Sequence, residues 1–182
     1  MGWSVLGVAV LVVAWGIVIY NGLVRGRVAG DAAWAQIDVQ LKRRYDLVPN
    51  LLEAVKGYAA HERDTFQAVV QARQKAIDAQ GVAAQAQAET SLTASLRGLL
   101  ALREAYPDLK ANQNFLALQE ELASTENRIG FARQHYNDAV NAYNGSIAVF
   151  PAVLIANNFG FVRRDFFELE DGPQREAPRV SF

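Results

Sequence analysis

Six charged residues lie on or beside the apolar stripes of predicted helices, where a helical protein keeps its core. They are Asp38, Arg44, Glu62, Arg73, Glu126 and Arg133. Buried carboxylates and guanidinium groups are costly unless they pair, so interhelical ion pairs that set helix register are the first interpretation. A ligand-binding or proton-relay site in a polar core is the alternative.

Metal binding and nucleophilic catalysis find no support in the residue spacing. A di-iron carboxylate bundle needs paired Glu-x-x-His motifs, and no glutamate of this chain has a histidine three residues later. His135 and Asp138 share a helical face but supply too few ligands for a zinc site. The chain has no cysteine, and it lacks the glycine elbow of a serine nucleophile. We therefore predict no catalytic residue, no metal, no cofactor and no enzymatic activity.

The first 24 residues carry no charged side chain, which predicts a membrane anchor. The stretch from Trp3 to Tyr20 is apolar apart from Ser4, and a helix of this length spans roughly 27 Å, enough for a hydrocarbon core. A cleaved signal peptide is the competing interpretation. It needs a basic start and a small-residue cleavage site, and the chain opens without the first and offers only a poor version of the second.

Basic residues flank the anchor on one side only, which predicts its orientation. Arg25, Arg27, Lys42, Arg43 and Arg44 all follow the span. The positive-inside rule then places the large domain in the cytoplasm and the N-terminus outside a bacterial inner membrane. The net charge of −1 argues against a nucleic-acid partner, which would favour a basic excess.

Apolar residues recur at three- and four-residue steps after the anchor, which predicts helices. The first helix is predicted to continue from the anchor to about Arg44. Asp46 can cap a second helix and Pro49 is tolerated in its first turn, so these two residues are predicted to form the corner where the chain reverses. The second helix is predicted to end near Ala79, before Gly81.

The last two long helices complete the predicted fold. The third ends at Tyr106-Pro107, because proline disfavours a helical residue before it. The fourth has an apolar or aromatic residue at every seventh position, a coiled-coil-like seam: Phe115, Leu122, Ile129, Tyr136, Tyr143 and Phe150. The prediction is an all-α protein, with an N-terminal transmembrane helix continuous with an antiparallel four-helix bundle of long helices.

The predicted boundaries follow from these patterns and from composition. The anchor covers residues 1–22, with the span at about 3–20, and the bundle covers residues 23–150. Residues 151–169 are predicted to form a short apolar C-terminal helix or cap. This segment either caps the end of the bundle or lies in the membrane interface. Residues 170–182 are charged and proline-bearing and are predicted to be a flexible tail.

A row of glycines begins where the span ends. Gly22, Gly26 and Gly30 are spaced by four residues, and small residues at this spacing allow two helices to approach closely. The contact predicted from this row is either between two copies of the chain, giving a homo-oligomer, or between helices of one copy.

Several ordered motifs resemble the LemA family of bacterial membrane proteins. They include Ala33-Trp34-Ala35-x-Ile37-Asp38, Asp46-Leu47-Val48-Pro49-Asn50-Leu51, Ala132-Arg133-Gln134-x-Tyr136-Asn137-Asp138 and Ala177-Pro178-Arg179-Val180-Ser181-Phe182. The resemblance covers nearly the whole chain from Tyr20. It implies a single-pass membrane protein with a cytoplasmic helical bundle.

The resemblance implies no agreed biochemical activity. Family members are often encoded near membrane-embedded zinc metalloproteases, and a divergent relative takes part in forming magnetosome membranes. These associations favour a membrane-anchored scaffold or accessory factor, with other membrane proteins as partners, a zinc metalloprotease among them. The alternative function is a sensor or signalling adaptor that binds a ligand in its polar core.

Overall fold

The computed structural model describes residues 2–168, and within them the predicted all-α class is confirmed. Six helices follow one another: α1 (Gly2–Lys56), α2 (Arg63–Asp78), α3 (Val82–Ala105), α4 (Pro107–Lys110), α5 (Gln113–Ala148) and α6 (Ala152–Phe159). The predicted tail over residues 170–182 lies outside the described residues.

The anchor and the first helix are one continuous element, as predicted. α1 is 55 residues long, and its N-terminal part contains an 18-residue window with a mean hydropathy of 2.3, none of which is buried by the rest of the protein. An apolar helix surface without protein cover is what a bilayer can cover. This part of α1 is therefore a candidate membrane span.

The predicted corner at Asp46 and Pro49 is wrong. α1 continues through both residues and ends at Lys56, and the chain first leaves helical structure between there and α2. Asp46 does not cap a helix; its carboxylate pairs with Lys42 at 2.8 Å, one turn earlier in α1. The remaining predicted breaks are confirmed, because α2 ends before Gly81, which has a φ of 84°, and α3 ends before Tyr106-Pro107.

The chain forms two compact units, to each of which α1 and α5 contribute. The first unit combines α1 up to Gln40 with the segment Arg128–Phe166, and the second runs from Leu41 to Asn127. Each has its own apolar core. The first contains Leu23, Tyr143, Ile147, Ala152, Ala156 and Phe161. The second contains Val48, Leu51, Val55, Ala59, Val69, Ala72, Ala76, Leu92, Leu96, Leu99, Leu109, Phe115 and Leu122.

The seven-residue seam of α5 is buried over most of its length. Phe115, Leu122, Ile129, Tyr136 and Tyr143 are all buried, whereas Phe150 is 78 % exposed. The difference arises because α5 ends at Ala148, so the seventh-residue spacing no longer keeps a side chain on the buried face beyond that point.

Candidate functional site

A buried arginine organises the polar core of the second unit. Arg44 lies on α1 with only 2 % of its surface exposed. Its Nη1 donates to Glu89 Oε2 on α3 at 2.8 Å, and its Nη2 donates to the Thr93 hydroxyl at 2.7 Å. Its Nε lies 2.8 Å from Glu126 Oε1 on α5, an ion pair by distance whose angle does not make a hydrogen bond. One guanidinium thus holds groups from two other helices.

The second carboxylate oxygen of Glu89 also accepts hydrogen bonds. This oxygen, Oε1, accepts a hydrogen bond from the Tyr45 hydroxyl and another from Gln85 Nε2 at 2.9 Å. The Gln85 amide also donates to the Ala76 carbonyl at the end of α2, at 3.0 Å. The cluster therefore joins α1, α2, α3 and α5, and Glu89 receives donors on both of its oxygens.

Burial changes the titration of two members of this cluster. It raises the pKa of Glu126, and the Arg44 guanidinium opposes that rise only in part. Burial, followed by the hydrogen bond to Glu89, raises the pKa of Tyr45 far above its ordinary value. Tyr45 therefore stays protonated and serves as a hydrogen-bond donor. The arrangement is one of mutual pairing, which is how buried charges are tolerated in a core.

The same cluster explains how α1 passes through Pro49. Proline has no backbone N–H, so the carbonyl of Tyr45, four residues earlier, loses its helical donor. Arg73 of α2 supplies a replacement, because its Nε donates to that carbonyl at 2.8 Å. A tertiary hydrogen bond thus stands where the helix lacks its own.

We expect the Arg73 contact to depend on Pro49. Arg73→Met should lower the free energy of unfolding by about 1–3 kcal/mol, because it leaves a half-buried carbonyl without a donor. In a Pro49→Ala background the same change should cost much less, since the N–H of residue 49 can then bond to Tyr45. Chemical denaturation of the four members of the double-mutant cycle, in detergent, measures the coupling. Equal costs of Arg73→Met in both backgrounds would contradict this explanation.

Three of the six predicted polar residues meet in this region, and three do not. Arg44 and Glu126 pair directly, and Arg73 is joined through the Tyr45 carbonyl. Glu62 is half-buried and accepts a hydrogen bond from the Tyr106 hydroxyl at 3.1 Å, outside the cluster.

The remaining two predicted residues belong to the first unit. Asp38 is exposed, so its prediction as a core residue is wrong; the face of α1 that packs there carries Ala33 and Ile37 instead. Arg133 is half-buried on α5.

Sequence reasoning missed Glu89, Tyr45 and Gln85 as polar core residues. Glu89 carried a usable signal, because it shares a helical stripe with Leu92, Leu96 and Leu99, all of which are buried. Tyr45 and Gln85 also lie on such stripes, four residues after Leu41 and four residues before Glu89. The pattern did not indicate that their polar groups bond to Glu89.

The glycine row makes its close contacts within one copy of the chain. A Cβ added at Gly26 would lie 3.3 Å from Cδ2 of Tyr143 on α5, and one added at Gly30 would lie 3.1 Å from Nη1 of Arg164. Gly22 faces open space. Two of the three glycines therefore allow α1 to approach other parts of the first unit closely.

The first unit also has an open groove between α1 and α5, of about 700 Å³. Its lining combines small and apolar residues with a polar rim: Ala35, Gln36, Val39, Gln40, Arg128, Phe131, Ala132 and His135. Phe131 is 74 % exposed, and Val39 is also exposed. Gln40 Oε1 is buried and accepts no hydrogen bond from residues 2–168. We call this feature the α1/α5 groove.

Comparison with known proteins identifies the family. The LemA family matches residues 33–182, which is most of the chain. The chain belongs to the LemA family. Magnetosome protein MamQ 2 of Paramagnetospirillum magneticum is 24 % identical over 188 residues, covering 89 % of this chain and 68 % of that protein.

Two further relatives extend the comparison. Protein LemA of Metamycoplasma hominis is 25 % identical over 152 residues, covering 83 % of this chain and 69 % of that protein. Magnetosome protein MamQ of Magnetospirillum gryphiswaldense is 23 % identical, with 89 % and 68 % covered. None of these names is that of an enzyme. LemA membership and the uncovered apolar N-terminal part of α1 describe a membrane-associated helical protein.

Proposed function

We propose that this LemA protein is a non-catalytic scaffold or accessory factor, anchored by α1 in the bacterial inner membrane, that binds partner membrane proteins. Its N-terminus lies outside and its helical units lie in the cytoplasm, an orientation supported by the exposed Arg25 and Arg27 just after the span. The observation that carries the binding role is the α1/α5 groove.

The groove has the chemistry of a helix-binding surface. Ala35 and Ala132 are small, which leaves room for the backbone of another helix, and Val39 and Phe131 present exposed apolar surface beside them. Amphipathic helices dock in such grooves through apolar residues spaced by three and four positions. Arg128, which is exposed at the groove, offers a polar contact that favours one orientation of the bound helix.

The partner on this proposal is an α-helical segment of a membrane protein, and a membrane zinc metalloprotease is one candidate class. On this proposal, the buried cluster around Arg44 stabilises the fold and does not bind the partner. Because Glu89 receives donors on both oxygens, a ligand would have to displace existing hydrogen bonds to bind there. The cluster therefore serves better to hold helix register than to sense a ligand.

Photocrosslinking in native membranes tests the binding role. We expect p-benzoylphenylalanine in place of Phe131 to crosslink to a discrete membrane protein, because this side chain lies at the groove and is solvent-exposed. The same amino acid in place of Val70, a 53 % exposed apolar residue of α2 outside the groove, is the matched control. Mass spectrometry of the crosslinked band identifies the partner.

Two results would contradict the proposal. One is equal crosslinking from positions 131 and 70, which would indicate nonspecific contact of exposed apolar side chains. The other is a single crosslinked species of twice the chain mass at position 131, which would show that the groove binds a second copy instead of another membrane protein.

A further inference from the structure

The segment around α6 exposes several large apolar side chains, and exposed apolar patches mark sites of protein or membrane contact. Five large apolar side chains within 14 residues are exposed: Val149, Phe150, Leu154, Phe159 and Val162. No charged residue occurs between Asp138 and Arg163. We call residues 149–162 the α6 segment.

The α6 segment packs against α1 within the predicted membrane span. A Cβ added at Gly16 would lie 4.0 Å from Cδ1 of Ile155. The Tyr20 ring meets the ring of Phe159 edge-on, with centroids 5.1 Å apart, and that of Phe161 at 5.6 Å. Since Gly16 and Tyr20 belong to the last turns of the span, the α6 segment lies at the depth where the span leaves the hydrocarbon.

The bend between α5 and α6, together with the length of α6, limits how far this segment can enter a bilayer. α5 and α6 meet at an angle of 99°, and together they are apolar enough for a broken span. α6 has 8 residues and is about 12 Å long, which is far less than the roughly 30 Å of a hydrocarbon core. The segment can therefore reach only into the interfacial part of one leaflet.

Several backbone groups at the end of α6 are paired within the protein, and such pairing lowers the cost of membrane insertion. Gly160 adopts a left-handed conformation and its N–H bonds to the Ala156 carbonyl, as does the N–H of Phe161 at 2.9 Å. The Asn158 side chain donates to the Leu154 carbonyl at 2.8 Å. These two N–H groups, two carbonyls and one side-chain amide are thus satisfied within the protein.

Basic residues border the α6 segment on the side where the span ends. Arg25, Arg27 and Arg163 are exposed, and the Arg27 guanidinium lies 5.2 Å from the centroid of the Phe161 ring. Asn144 holds the following segment on α5 through reciprocal hydrogen bonds of 2.9 Å with the backbone of Arg164. Arginines beside aromatic rings are typical of the boundary between hydrocarbon and lipid headgroups.

We propose that the α6 segment is a second membrane contact, inserted beside α1 into the leaflet where the span ends. Leu154, Phe159 and Phe150 face the acyl chains, and Arg25, Arg27 and Arg163 lie among the phosphates. The occupant of this apolar surface is lipid, because the surface is continuous with that of the span. The proposal rests on α1 being a membrane span and is independent of the α1/α5 groove.

Spin-label depth measurements on the full chain test the proposal. The chain has no cysteine, so single-cysteine variants can be labelled directly and placed one copy per phospholipid nanodisc. Leu154→Cys is the test position. Leu11→Cys, on the exposed face of the span, is the reference for lipid. Gln134→Cys, exposed on α5 of the same unit and outside the lining of the α1/α5 groove, is the reference for water.

We expect the label at position 154 to collide with oxygen and to be protected from a water-soluble nickel chelate, as at position 11. A label at position 154 as accessible to nickel as the label at position 134 would overturn the proposal. Protection at 154 from both reagents would also overturn it, since that outcome indicates a protein cover. If the label at position 11 is itself accessible to nickel, the span assignment fails first, which distinguishes that failure from the failure of the α6 proposal.

Discussion

Replacing Arg44 with methionine is expected to lower the free energy of unfolding by about 3–5 kcal/mol, the cost of breaking a buried ion pair from one side. The guanidinium is the shared partner of Glu89 and Glu126 and a donor to Thr93. Its loss leaves the Glu89 carboxylate buried with only Tyr45 and Gln85 as donors. Chemical denaturation of the full chain in detergent, followed by far-ultraviolet circular dichroism, measures the change.

The neighbouring arginine is a matched control. Arg43 pairs with Glu121 at 3.2 Å, and both side chains are more than two-fifths exposed. Exposed pairs of this kind contribute about 0–1 kcal/mol, so Arg43→Met should change the unfolding free energy little. Similar losses for the two arginine variants would show that burial of Arg44 does not decide its effect.

Removing both charges separates pairing from packing. Arg44→Met combined with Glu89→Met should destabilise the protein by less than the sum of the two single changes, because neither buried charge then remains without its partner. Strict additivity would show that Arg44 and Glu89 are not energetically coupled.

Truncating Phe115 to alanine is expected to cost about 3–5 kcal/mol, the usual range for a fully buried phenylalanine. Phe115 is fully buried at the start of α5, in the apolar core of the second unit. The lost side chain leaves a cavity whose walls include helices held by the Arg44 cluster, so the surroundings have little freedom to collapse. The same denaturation experiment measures this loss.

Phe150 is the control for Phe115, because it occupies the same position of the same seven-residue pattern. It is 78 % exposed, so Phe150→Ala should change the free energy of unfolding by roughly 0.5 kcal/mol or less. A loss at Phe150 as large as that at Phe115 would contradict the explanation that burial within the protein decides the cost of removing a phenylalanine from this pattern.

The Arg44→Met variant also tests whether the Arg44 cluster is needed for partner binding at the α1/α5 groove. If Arg44→Met destabilises the second unit but leaves crosslinking from position 131 intact, the two units act separately and the cluster has no part in partner binding. If both are lost together, the cluster also supports the binding surface. Combining Arg44→Met with the crosslinker at position 131 therefore assigns a role to each.

Most helix positions followed from local patterns because local forces dominate there. The apolar run of the anchor, the glycine before α3 and Tyr106-Pro107 each act through the backbone or through hydrophobicity within a few residues. The seam of α5 was equally predictable, since burial of one helical face imposes its own period. It failed only at Phe150, where the helix had already ended.

Pro49 shows why a local rule is not sufficient. By itself, a proline after Asp46 predicts a new helix start, because the missing N–H breaks a helix interior. The helix continues because Arg73, which is 28 residues after Tyr45 in the chain, donates to the Tyr45 carbonyl that Pro49 leaves unpaired. The periodicity of the sequence does not predict this hydrogen bond, because the donor lies on α2 and reaches α1 only when the two helices pack together.

By itself the sequence determined the helical class, the membrane-spanning candidate and the family, because these depend on composition, period and ordered motifs. Only the tertiary structure decided which charges are buried together. Arg44 and Glu126 meet Glu89, Asp38 turns outward, and the α6 segment lies beside the span at Gly16 and Tyr20. The physical reason is that the energy of an ion pair or hydrogen bond depends on a distance of about 3 Å between the donor and acceptor atoms. When these atoms belong to side chains on different helices, residue spacing along one helix does not specify that distance.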